Sequence, residues 1–102
     1  MSAREMADSI DREVPNILRL MTERDSSVPQ LLETLATLVE NFADNARGTG
    51  VQFRITMSSL RSQVGTLQDN ANAVWQTNSE TVAEALKTIQ QHVKNMSKNL
   101  VN

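Results

Sequence analysis

The sequence predicts an all-α protein, in which helical hairpins with heptad seams form a four-helix bundle or a coiled-coil-like assembly. Three observations predict it. Apolar residues recur alternately four and three positions apart along most of the chain, which places them on one helical face at the 3.5-residue repeat of coiled-coil seams. Aromatic residues make up only 3% of a chain that is 39% hydrophobic, so the interior is filled by Leu, Val, Ile, Met and Ala, as helix-on-helix packing allows. Three sets of turn residues cut the pattern into four segments. At 102 residues, all of this belongs to one domain.

The first segment, about residues 1–27, carries Met6, Ile10, Val14, Ile17 and Met21 on one face of a helix from Ala3 to Glu23. Pro15 lies inside it. A missing N–H and a ring clash there predict a kinked helix, two short helices or a mobile arm. A second helix, 28–47, opens after Ser27, with Gln30 at capping-box spacing and Pro29 in the first turn, and carries Val28, Leu31, Leu35, Leu38 and Phe42. Gly48-Thr49-Gly50 ends it, the alternative being a merged second and third helix.

The third segment, 51–75, holds the cleanest seam: Phe53, Met57, Leu60, Val64, Leu67, Ala71 and Val74, against an outer face of Ser, Thr, Gln and Asn. Gly65 inside it costs about 1 kcal/mol relative to Ala. A turn at Trp75-Gln76-Thr77-Asn78 leads to a fourth helix, 78–100, with Val82, Leu86, Ile89, Val93, Met96 and Leu100 on its seam. Thr77 and Glu80 have capping-box spacing, and Lys94 and Lys98 suit the helix C-terminus.

A net charge of −2 and the lack of a polybasic strip argue against nucleic-acid binding. Residues 1–50 carry five Arg/Lys against nine Asp/Glu, giving −4, and residues 51–102 carry five against three, giving +2. Opposite halves complement each other within one monomer or between copies. With no cysteine there is neither a disulfide framework nor a thiolate metal site. No segment reaches the length of a membrane span, and Met1–Met6 lacks the apolar core of a cleaved signal, which predicts a chain soluble in the cytoplasm when made.

Residues with chemical potential are few. His92, the only histidine, lies just off the fourth seam with no second ligand beside it, and reads as a solvent-facing or flanking residue, with interfacial pH sensing as the sharper alternative. Asp8, Asp11 and Glu13 read as solvated or as pairing with Arg4 and Arg12. No serine sits in a nucleophile elbow, and Gly48-Thr49-Gly50 is too short to cradle phosphate. Neither catalysis nor a cofactor is expected. Trp75 either closes the last hairpin or serves as a recognition anchor. Met6, Met21, Met57 and Met96 sit on seams, as core or as adaptable contact surface.

A narrow apolar seam exists to meet another helix. The expected activity is therefore non-enzymatic assembly, with itself or another helical protein, through Phe53, Met57, Leu60, Val64, Leu67, Trp75, Val82, Leu86, Ile89, Val93 and Met96. Burial of the same seams inside one monomer is the other arrangement that the turns permit. The alternatives are a structural subunit of a larger coiled-coil complex (a tethering complex, phage component or filament) and an amphipathic binder of membrane or granule surfaces. The last is disfavoured by the Ser/Gln/Asn-rich polar face.

The stretch Leu60-x-x-Gln63-Val64-x-x-Leu67, followed by Val74-Trp75-Gln76-Thr77 and Ser79-Glu80, resembles the WXG100 (ESAT-6-like) helical hairpin proteins over roughly residues 57–90. Thr77 stands where that family has Gly, the turn lies three-quarters along the chain, and the absence of Tyr removes the family's C-terminal export motif. The resemblance implies dimers that form a four-helix bundle, and export by bacterial type VII secretion without a cleaved signal.

Overall fold

The computed structural model describes all 102 residues and consists of four α-helices, α1 (Ala3–Thr22), α2 (Val28–Asn45), α3 (Val51–Asn70) and α4 (Ser79–Ser97), with a single 3-10 turn at Ala73–Trp75. Each helix packs on its neighbours in sequence, and α1 closes the ring against α4. Short connections make the four run alternately up and down, as a four-helix bundle. Twenty-six apolar residues from all four helices and their connections form one core, which includes Ile10, Ile17, Leu32, Phe42, Leu60, Leu67, Leu86 and Ile89. Removing each such large side chain from water contributes about 1.5–3 kcal/mol.

α1 forms as a single helix that runs through Pro15, so neither two helices nor a mobile arm is found. The proline ring is on the exposed side, and its missing N–H leaves the Asp11 carbonyl without its usual donor. α4 supplies one: Gln90 Nε2 donates to Asp11 O at 3.3 Å and to Asp11 Oδ1 at 3.1 Å. Tertiary contact thus accommodates the local breaker. The N-terminus of α1 is fixed by a capping box absent from the sequence reading. Glu5 N–H donates to Ser2 Oγ at 3.1 Å, and Ser2 N–H to Glu5 Oε1 at 2.9 Å. These hydrogen bonds hold the Glu5 carboxyl below its ordinary value.

The two capping boxes expected elsewhere do not form. Ser27 has helical dihedrals, and both its N–H (2.8 Å) and its hydroxyl (2.6 Å) donate to Asp25 Oδ1, which lowers the Asp25 pKa. Asn78, not Thr77, precedes α4, and its amide donates to Asn70 Oδ1 at 2.8 Å instead of capping the helix. α3 stops at Asn70, four residues short of Val74, which is exposed after a turn capped by Asn72. α4 ends at Ser97, and the tail doubles back across the α2–α3 turn. Val101 N–H donates to Arg47 O at 2.9 Å, and Asn102 Nδ2 to Asn45 O at 2.8 Å.

The second seam also needs correction. α2 buries Val28, Leu32, Leu35, Ala36, Val39, Phe42 and Ala43, whereas Leu31 and Leu38 lie half-buried on its flank. A helix packed between α1 and α3 needs a stripe wider than a two-position seam. Gly48-Thr49-Gly50 separates α2 from α3 as expected. Gly50 adopts φ 96°, a conformation open to glycine, and Gly48 lies under the Phe53 ring, where a Cβ would overlap it.

Candidate functional site

The eleven residues expected to form a partner interface divide sharply. Leu60, Val64, Leu67, Trp75, Val82, Leu86, Ile89, Val93 and Met96 are buried inside a single chain. Leu60 and Leu86 are 0% exposed, so neither reaches a second molecule without unfolding. The seams meet the other helices of the same chain. Of the two arrangements that the seams permit, this is burial within one monomer. Phe53 and Met57 are different, because both are only partly covered and pack at the edge of the core.

Val51 and Ile55, one helical turn apart at the start of α3, are 62% and 57% exposed. They are the only large exposed apolar residues within a helix; Met1, Val74 and Val101 lie in the termini and a turn. On another face of α3, Gly48, Phe53, Arg54, Met57, Ser58 and Arg61 line a depression of about 380 Å³. Arg61 is held by Asp44 of α2 at 3.1 Å, whereas Arg54 makes no ion pair. Two arginines thus edge the depression, and the exposed Val51 and Ile55 form a separate strip on the outer face of α3. Sequence reasoning found Phe53 and Met57 but missed Val51 and Ile55. Their signal was present, as two β-branched residues at i, i+4 away from the Leu60 seam.

Trp75 is 3% exposed and closes the α3–α4 turn, as the packing alternative held. His92 is half-buried, and its Nε2 lies 2.9 Å from Ser59 Oγ across the α3–α4 groove. Sequence alone could not find this pair, because 33 residues separate its members. Both sit within helices, where the adjacent backbone N–H groups are committed to intrahelical bonds. The pair links two helices.

Of the acidic residues near the N-terminus, Asp11 serves α1–α4 packing, accepting from Gln90 and lying 3.8 Å from Lys94 Nζ. No three His, Cys, Asp or Glu side chains converge to hold a metal ion. Met6, Met21 and Met96 are core residues, and Met57 lies at its edge. No helix is long and apolar enough to cross a membrane. Comparison with protein-family models, with curated proteins and with solved structures yields no match.

Proposed function

We propose that the chain is a non-enzymatic helical assembly subunit that folds as a complete bundle and associates through the start of α3. The observation that carries this reading is the pair of exposed residues Val51 and Ile55, one turn apart on the outer face of α3. A monomer gains nothing by holding that surface in water, and a helical partner gains its burial. Charge favours a second copy as the partner. α2 carries Glu33, Glu40 and Asp44 with no Lys or Arg, and Arg54 beside the apolar patch is unpaired. Copies joined α3 to α2 bring these opposite signs together.

Light scattering over a range of concentrations tests this. The expected mass rises above one chain as concentration increases, and Ile55→Asp holds it at one chain without loss of helicity. A wild-type mass of one chain throughout overturns self-assembly.

The more specific version is a WXG100-like substrate or partner of type VII secretion. Its support is the Leu60–Thr77 stretch and the position of Trp75 in the turn between α3 and α4. In that version the α1–α2 hairpin occupies the place of the partner hairpin. Finding the protein in cleared culture medium of its host, and its loss when the secretion ATPase is deleted, is the corresponding test.

A further inference from the structure

The end of the bundle opposite the α3 patch holds a cleft of about 480 Å³ between the last turn of α1 and the first turns of α4. Leu18, Met21, Trp75 and Ala83 give it an apolar lining, and Arg24, Lys87 and Glu80 supply its charges. Its volume lies in the range of small-molecule sites, which combine apolar walls with a few polar groups.

Two groups in this cleft contribute no hydrogen bond or ion pair to the fold. The first is Arg24. α1 ends in a Schellman motif: Arg24 N–H donates to Met21 O at 3.1 Å, and Asp25 N–H to Leu20 O at 3.0 Å. Arg24 occupies the left-handed position of that motif, at φ 55°, and is the only residue other than glycine with positive φ. Glycine fills such a position without strain, whereas an L side chain costs about 1–2 kcal/mol there. The guanidinium returns nothing to the fold, since it makes neither an ion pair nor a hydrogen bond within the chain. Lys87 is likewise without a partner.

The second group is the Trp75 indole N–H. It makes no hydrogen bond within the chain, yet no buried side-chain polar atom lacks a partner, so this donor reaches solvent although the residue is 3% exposed. A buried indole normally finds an acceptor. Here solvent supplies the acceptor.

We propose that this cleft binds a small organic carboxylate with an apolar body, its head held by Arg24 and Lys87 and its body laid on Trp75, Leu18 and Met21. Two unpaired cations against the single carboxylate of Glu80 select one negative charge. A free fatty acid and the C-terminal residue of a peptide both present this chemistry.

Trp75 is the only tryptophan and the chain has no tyrosine, so its emission reports the cleft directly. The experiment titrates the whole protein with octanoate, octylammonium and octanol, and with N-acetyl-leucyl-leucine as free acid and as amide. A saturable change in Trp75 emission is expected with octanoate, with the peptide acid or with both, and the acid that binds more tightly identifies the source. Arg24→Gly and Lys87→Gln each weaken that binding by roughly tenfold. Arg24→Gly does so with a melting temperature equal to or above wild type, and Glu80→Gln tightens binding. Absence of a saturable response to either acid overturns the proposal. So does equal binding of octylammonium, or unchanged affinity in Lys87→Gln.

Discussion

α1 and α3 are both 20 residues long, yet the bundle holds them differently. α1 buries seven residues, all apolar, and keeps its charges outside. α3 buries Leu60, Val64 and Leu67 with two polar residues, Thr56 and Asn70, and leaves Val51 and Ile55 in water. Asn70 is satisfied by the Thr66 carbonyl at 2.8 Å and by Asn78. One helix is therefore specified by its own chain, even through a proline. The other spends part of its apolar surface outside the fold. On the proposed reading, that exposed strip is where association begins.

This contrast is broken most severely at the core. Ile10→Asp in α1 or Leu60→Asp in α3 buries a carboxylate without a partner and is expected to abolish the cooperative melt and the helical circular dichroism. Truncations then separate the two helices more finely. Ile17→Ala removes a fully enclosed side chain from α1 and should cost about 2–5 kcal/mol in urea unfolding, whereas Ile55→Ala in α3 should cost under about 0.5 kcal/mol. An equal cost for both would mean that Ile55 is covered within the monomer.

A smaller effect is expected at the proline. Gln90→Ala removes the donor to Asp11 O and should lower stability by about 0.5–1.5 kcal/mol, while restoring tolerance in a Pro15→Ala background. A double-mutant cycle measures that coupling, and additive losses would contradict the compensation. The smallest effect is acidic. Glu5 and Asp25 both have carboxyls held below their ordinary values of 4.5 and 3.8 by hydrogen bonds from Ser2 and Ser27. A depressed folded pKa adds stability that is complete above the unfolded value and is lost as pH falls through the folded one. Melting temperature should therefore decline below about pH 4.5, and less so in Ser2→Ala.

The fold class and the four segments were legible because seam spacing and the Gly48-Thr49-Gly50 break depend on local periodicity and backbone freedom. The errors share a different cause. The local sequence around Pro15 predicts a break, yet Gln90, 75 residues away, supplies the missing donor. Ser27 and Thr77 have the right spacing for caps, but Asp25 takes the Ser27 hydroxyl and the Asn70–Asn78 bond shapes the last turn. Leu32 and Val39 were passed over because a strict heptad predicts a narrower face than an interior helix buries. A seam states that it will be buried without naming the chain that buries it, and the surface left over becomes visible only after the four helices are assembled.

One chain completes the bundle, and on the reading proposed above association is added through α3. Thermal melting followed across roughly a hundredfold dilution tests it most directly, because stability that resides in one chain does not depend on concentration whereas that of an obligate oligomer does. Below the concentration at which light scattering gives the mass of one chain, the melt should stay cooperative with an unchanging midpoint. A midpoint that keeps falling with dilution, or loss of helicity in the monomer, would contradict it and return the seams to a second chain.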